Sequence, residues 1–65
     1  MSKPYTKLKS FMDENKITQR ELAAVIGKTV GVVNQNLNGT KGDFTAGEVR
    51  KICLHYKISA DKYFF

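Results

Sequence analysis

Four carboxamide side chains lie within one stretch of five residues: Asn34, Gln35, Asn36 and Asn38. Each carries a hydrogen-bond donor and an acceptor together, the combination that base edges present in the major groove of DNA. On a helical wheel, three of them share one side with a glycine, in a set called here the amide stripe: Gly31, Asn34, Gln35 and Asn38. Val30, Val33 and Leu37 lie opposite, so the pattern predicts an apolar core face and an outward amide stripe.

Gly31 has two interpretations within this stripe. Glycine destabilises a helix by up to ~1 kcal/mol relative to alanine, so its presence needs a reason. Either it removes bulk where the helix would approach DNA closely, or it faces a neighbouring side chain. Asn38 also has a structural interpretation, because an asparagine before a glycine commonly ends a helix.

The amide stripe lies on the third of five predicted helices, which begins at Thr29 and ends at Gly39. The second helix begins at a T-x-x-E capping box of Thr18 and Glu21, in which Ile17 can pack on Leu22 as a hydrophobic staple. Gly27 ends that helix in the left-handed conformation. Two helices joined by a short glycine-containing turn are typical of the helix-turn-helix motif.

The other three helices follow from the same kinds of pattern. Apolar residues at helical spacing predict a first helix over about residues 4–15, with Pro4 in its first turn. Thr45 and Glu48 form a second capping box, with Phe44 and Val49 as its staple. The predicted buried face of this fourth helix is Val49, Ile52, Cys53 and Tyr56. Ser59 can cap a last short helix through Phe64, against which Ile58 packs, so the fold class is all-α.

Length and charge narrow the classes of function. The 65 residues predict one domain over 1–65, and the net charge of +5 favours a polyanionic partner. Up to residue 42 there are seven Lys or Arg and three Asp or Glu, so the basic excess lies in the first two thirds. Neither a signal peptide nor a membrane-spanning run of ~18 apolar residues is visible. A single cysteine is compatible with the reducing cytoplasm, and we expect no metal, cofactor or small-molecule ligand.

An enzyme is the least favoured class. His55 is the only histidine, and a surface histidine is commoner than a catalytic one. Cys53 lies on an apolar face, where a buried thiol is expected rather than a nucleophile. The "NGTKGD" segment lacks the strand and the Lys-Ser/Thr pair of a phosphate-binding loop.

The sequence resembles the lambda-repressor/Cro-like helix-turn-helix family over residues 5–64. The matching segments are "ITQRELAAVIGKTVGVVNQNLNG" and "FTAGEVRKICLHYKISADKYFF". The resemblance implies a compact five-helix domain that binds operator DNA in the major groove, usually as a dimer. By position, it implies base contacts from Thr29, Val30, Gly31, Asn34 and Gln35. It also implies that Gln19 touches a phosphate and braces the third helix, while Asn38, Gly39 and Lys41 contact the DNA backbone.

Two positions depart from the family pattern, which usually has an apolar residue at each of them. They are Lys28, directly after the turn glycine, and Asn36. Both positions normally help to close the same small core, so we expect the two changes to be coupled. Lys28 can lay its stem on the core and send its ammonium to a phosphate, while Asn36 bonds to nearby backbone. The alternative is that both side chains are simply exposed.

The sequence therefore predicts a Cro-like or repressor-like transcriptional regulator of phage or mobile-element type, with double-stranded DNA as its partner. Backbone contacts are expected from Gln19, Arg20, Lys28, Asn38 and Lys41. Val30 and Gly31 are a second departure, since family members tend to have polar side chains at these positions. Base reading is therefore expected to rely on Gln35 and Asn34, and on Val30 touching a thymine methyl. Leu54, Phe64 and Phe65 are candidates for a homodimer contact. The rival hypothesis is a protein-interaction module, such as an antitoxin or anti-repressor component.

Overall fold

Five helices are present between residues 4 and 64, the part of the chain that the computed structural model describes. They are α1 (Thr6–Glu14), α2 (Gln19–Ile26), α3 (Val30–Asn38), α4 (Ala46–Tyr56) and α5 (Ala60–Tyr63). No strand occurs within these residues. The predicted all-α fold with five helices is thus confirmed.

Local side-chain chemistry fixes where the middle helices begin and end. A threonine is the N-cap of each of α2, α3 and α4: Thr18, Thr29 and Thr45. Each hydroxyl oxygen accepts the backbone N–H three residues further on, at 3.1 to 3.3 Å. Gly27 and Gly39 end α2 and α3 with φ values of 72° and 67°, a region that glycine enters without steric cost. The predicted bounds of α3 are therefore confirmed.

The two predicted capping boxes have different outcomes. The Thr45 box is complete, because Glu48 Oε1 also accepts the Thr45 N–H at 2.9 Å. The Thr18 box forms only its threonine half. Glu21 Oε2 instead accepts a hydrogen bond of 2.7 Å from the Tyr56 hydroxyl, which ties α2 to α4. Burial and this bond raise the pKa of the Tyr56 hydroxyl, so it remains a donor at neutral pH.

Two predictions at the ends of the chain need correction. Helix α1 begins at Thr6 after the N-cap Tyr5, so Pro4 precedes the helix and does not lie in its first turn. Ser59 is the N-cap of α5, but its side chain makes no capping hydrogen bond. The start of α1 is held by α3 instead, because the Tyr5 N–H donates to the Leu37 carbonyl at 2.9 Å.

A single apolar cluster lies where the helices meet. Its buried members are Leu8, Met12, Leu22, Ala23, Ile26, Val33, Leu37, Phe44 and Ile52. Helix α2 contacts both α3 and α4, and α1 contacts α3 and α5. On α4, Ile52 is fully buried, whereas Val49, Cys53 and Tyr56 are half-buried at the edge of the cluster. Ala23 of α2 is buried, and its small side chain lets α3 lie close against α2.

Replacing Tyr56 with phenylalanine tests the tie between α2 and α4. The variant keeps the ring and loses only the hydroxyl that donates to Glu21, so we expect a loss of about 1 kcal/mol in the free energy of unfolding by urea. In a Glu21→Ala background the same change should cost much less, since the partner is already gone. An equal cost in both backgrounds would show that Glu21 is not the partner.

Candidate nucleic-acid interface

The centre of the amide stripe is open to solvent. Asn34 and Gln35 are both exposed. Within residues 4–64, the Gln35 side-chain amide has no hydrogen-bond partner, although the Gln35 backbone carbonyl accepts from the Thr40 N–H at 3.1 Å. A Cβ added at Gly31 would find no atom within 4 Å, so this glycine faces open space and not a neighbouring side chain. This face of α3 is free to meet a large partner.

The first turn of α3 is more exposed than the wheel predicted. Val30 was placed on the core face, but 42% of its surface is accessible. Val32 is 39% exposed on the other flank of Gly31. The prediction for Val30 is wrong because a wheel ignores position along the axis: the core contacts Val33 and Leu37 and does not cover the first turn. Val30 and Val32, on either side of Gly31, thus form an exposed apolar patch in the first turn of α3, called here the apolar tip.

Two amides of the stripe, Asn34 and Asn38, make hydrogen bonds within the protein. The Asn34 amide donates to Gln19 Oε1 at 3.3 Å, so the first residue of α2 does brace α3. The Asn38 amide donates to the Asn34 carbonyl at 2.9 Å, and Asn38 Oδ1 accepts from Lys9 Nζ at 2.7 Å. Asn38 is half-buried, and both ends of its side chain make internal hydrogen bonds, although its amide retains a second N–H. Gln35 remains the one stripe amide with no internal bond among the residues described.

Lys9 is a candidate that the sequence did not reveal. It belongs to α1, far from the amide stripe in sequence, and it reaches Asn38 only because α1 packs against α3. Its ammonium lies at the C-terminal end of the stripe, where the helix dipole favours a cation. No local pattern in residues 1–15 distinguishes Lys9 from Lys7, so only the tertiary contact identifies it.

Lys28 has a different role from the one predicted. Its Nζ lies 2.6 Å from Asn36 Oδ1, 2.8 Å from Glu48 Oε1 and 5.5 Å from the centroid of the Phe44 ring. The coupling of Lys28 with Asn36 is therefore direct, and the ammonium also lies over the ring of the buried Phe44. The ammonium, however, points inward to a carboxylate and not toward a phosphate. We exclude Lys28 from the candidate DNA contacts for this reason.

Asn36 is buried and fully bonded. Only 3% of its surface is accessible, and its amide donates to the Lys41 carbonyl at 3.1 Å while its oxygen accepts from Lys28. The expectation that Asn36 bonds nearby backbone is met. A buried amide with both ends paired avoids the penalty of an unsatisfied polar group.

The remaining candidates for DNA contact are exposed. Arg20 and Lys41 have accessible side chains. Thr29 is also exposed, but its hydroxyl oxygen already accepts the Val32 N–H at 3.3 Å, which leaves its proton free to donate. These residues and Lys9 are exposed donors and cations, and Lys9 directly contacts the stripe residue Asn38.

The dimer candidates lie on another surface, a groove lined mainly by apolar residues of α4 and its neighbours. Leu54 is 72% exposed at the rim of this groove. Phe64 is half-buried, because its ring packs against Tyr5 and Phe44, with centroids 5.6 and 5.9 Å away. Phe65 lies outside the described residues.

Other chemical groups within residues 4–64 have structural surroundings. Cys53 is half-buried, and this burial raises the pKa of its thiol, which disfavours the nucleophilic thiolate. No group of three or more His, Cys, Asp or Glu side chains in this range is placed to hold a metal ion. None of the five helices there has the length and apolar character needed to cross a bilayer.

Comparison with known proteins places the chain in a described sequence family. The sequence model described as helix-turn-helix matches residues 8–63, which covers most of the chain and all of α2 and α3. No curated protein and no solved structure matches the chain significantly.

The contact between Lys28 and Glu48 predicts a specific pH dependence. Partial burial alone would raise the pKa of the Glu48 carboxyl, but hydrogen bonds from Lys28 and the Thr45 N–H together lower it below its ordinary 4.5. A lowered pKa stabilises the fold above pH 4.5, and this contribution is lost as the pH falls through the folded-state value.

Glu48→Gln is the matched variant, because glutamine also serves in a capping box and does not titrate. We expect the wild type to exceed the variant in unfolding free energy at pH 6, and the difference to shrink as the pH is lowered below 4.5. Urea denaturation of both proteins at several pH values measures this difference in unfolding free energy. A difference that stays constant down to pH 3 would contradict this account of Glu48.

Proposed function

The chain belongs to the helix-turn-helix family of DNA-binding regulators, in its lambda-repressor-like form, and we propose that it is a Cro-like or repressor-like regulator that occupies a specific operator. In this proposal α3 enters the major groove and α2 lies across the DNA backbone. Regulation follows from occupation of the site, which blocks access of the polymerase.

The observation that carries the proposal is the exposed face of α3. Gln35 presents an amide with no internal partner, beside the exposed Asn34 and the open backbone at Gly31. A glutamine or asparagine amide makes two hydrogen bonds to the N6 and N7 edge of adenine. Gly31 allows the backbone to approach the base pairs, so that Gln35 reaches an edge without a bulky neighbour in the way.

The apolar tip of α3 adds a second kind of base contact. Val30 and Val32 are both exposed, and the methyl group of thymine is the apolar feature of the major groove. Burial of a valine against this methyl removes both apolar surfaces from water. The combination of amides and valines favours A·T base pairs within each half-site.

Phosphate contacts in this proposal come from groups around the amide stripe. Lys9, Arg20 and Lys41 provide exposed cations, and Gln19 and Asn38 provide neutral amides. Each phosphate that a cation neutralises releases counterions, which contributes about −0.9 to the slope of log affinity against log salt. Three cations therefore predict a slope of about −2.7 for one bound chain, and about twice that for a dimer.

The experiment that tests the proposal is selection of bound duplexes from random DNA, followed by a salt titration on a selected site and on a random site. We expect an enriched sequence and salt-sensitive binding to both. If the protein does not bind random duplex DNA even at low salt, the proposal fails and a protein partner becomes the better explanation.

Gln35→Ala is the most direct variant. It removes the proposed adenine contact from an exposed position, so the melting temperature should stay close to that of the wild type. We expect the affinity for the selected site to fall by about 1–3 kcal/mol, and discrimination at one base pair to be lost. Binding to random duplex should hardly change, since that binding is set by the phosphates.

Titration of fluorescent duplexes measures both affinities of Gln35→Ala. If the variant binds the selected site as tightly as the wild type does, Gln35 is not the residue that contacts the base.

We further propose that two copies bind DNA together through the surface around Leu54. A leucine that is 72% exposed beside an apolar groove is the most accessible large apolar side chain among the described residues. A two-fold axis would pair this surface with itself and place two α3 helices on successive turns of one DNA face.

Leu54→Glu tests the dimer by sedimentation equilibrium with and without a palindromic site. We expect the wild type to associate at high concentration, and the charge introduced by Leu54→Glu to abolish this association. The variant's affinity for the full site should fall by at least tenfold. Ser10→Glu adds the same charge to the exposed surface of α1 and should leave association intact. A wild type that is strictly monomeric, both free and on DNA, would rule out this contact.

A further inference from the structure

Asn36 occupies a position that simple packing would give to an apolar side chain. It lies one residue before Leu37, 3% exposed, and is the one buried polar side chain within residues 4–64. A buried, hydrogen-bonded amide adds only modest net stability, and an apolar side chain of similar size can stabilise a core as much or more. The retained amide therefore points to a purpose other than stability.

The two ends of the Asn36 amide connect separate parts of the fold. Its oxygen accepts from Lys28 Nζ at 2.6 Å, and the same ammonium forms an ion pair of 2.8 Å with Glu48 on α4. Glu48 is held in turn at the Thr45 N–H, the start of that helix. Lys28 and Glu48 thus link Asn36 to the start of α4.

The other end of the amide holds the loop between α3 and α4. Asn36 Nδ2 donates to the Lys41 carbonyl at 3.1 Å. The loop passes so close that a Cβ added at Gly42 would lie 3.2 Å from the same nitrogen, and Gly42 has a φ of 70°. The loop is also held at its two ends, where the Thr40 N–H donates to Gln35 and the Tyr5 hydroxyl donates to Asp43. Asn36 fixes its middle.

The side chain of Lys41 is exposed while its backbone is held. The bond from Asn36 thus restrains the residue at its carbonyl and leaves the ammonium free to reach outward. A cation on a fixed backbone loses less conformational entropy when it meets a phosphate than one on a mobile loop.

We infer that Asn36, anchored by Lys28 and Glu48, is a positioning residue that holds the loop over residues 39–43 so that Lys41 meets a phosphate beside the groove that α3 enters. This inference rests on the proposed function, because it assumes a DNA backbone next to the loop. It assigns to the Lys28, Asn36 and Glu48 cluster a part in binding that acts through Lys41, without contact to DNA.

Asn36→Leu is the main test variant, since it removes the bond to Lys41 and leaves the charge of the protein and the Lys28–Glu48 pair unchanged. If the leucine variant does not fold, Asn36→Ala removes the same hydrogen bond with a smaller side chain. Lys41→Ala removes the proposed cation directly. Asn15→Ala is the matched control, because Asn15 also donates to a backbone carbonyl, that of Phe11 at 2.8 Å, but at the end of α1.

Affinity for a selected duplex is measured against salt concentration for each variant. Loss of one phosphate contact lowers the slope by about 0.9, which corresponds to about eightfold weaker binding at 0.1 M salt. We expect this loss for the Asn36 variants and for Lys41→Ala, and no further loss when the two changes are combined. Asn15→Ala should keep the wild-type slope. A structural role alone would change the melting temperature of the Asn36 variants without changing the slope.

The outcomes separate this inference from the proposed function. If the wild type does not bind duplex DNA at low salt, the proposed function is overturned and the inference with it. If the wild type binds but the folded Asn36 variants keep its slope, only the inference is overturned. The same holds if the losses from Asn36 and Lys41 simply add, because the two residues would then act independently.

Discussion

The rotation of α3 about its own axis is the constraint on which the interface depends. Val33 and Leu37 are almost completely buried, and their burial fixes which side of the helix faces the core. The N-cap Thr29 and the C-cap Gly39 limit the helix to nine residues, so these two buried side chains mainly set its orientation. With the rotation fixed, Gly31 and Gln35 must face outward. Rotating α3 by a quarter turn would bury a carboxamide of the amide stripe without a hydrogen-bond partner. That cost is large compared with the marginal stability of a folded domain.

Local patterns predicted the parts of this structure that local chemistry controls. The bounds of α3, the Thr45 capping box and the outward direction of Gln35 all follow from residues a few positions apart. The Thr18 box failed because Tyr56, 35 residues away, offers the Glu21 carboxylate a second donor. The inward ammonium of Lys28 depends in the same way on Glu48, which the fold brings within 2.8 Å. Nothing in a single sequence shows such long-range pairs.

The candidate site illustrates the same division between local and tertiary control. The amides of the stripe were identified from spacing, but the exposure of Val30 required the position of the neighbouring helices. Lys9 joins the site only through the packing of α1 on α3, while Lys28 leaves it. In the proposed interface, the phosphate contacts come from exposed cations on α1, α2 and the loop after α3, and the base contacts come from the neutral amides of α3.

Side-chain NH₂ signals in a ¹⁵N-resolved NMR titration with a selected duplex test the central claim most directly, because each carboxamide reports its own surroundings. The account predicts that Gln35 and Asn34 shift strongly on binding, while Asn15 at the end of α1 does not. It would be contradicted if both stripe amides kept their free-state shifts while backbone signals around Leu54 moved, since DNA would then bind a different face of the molecule.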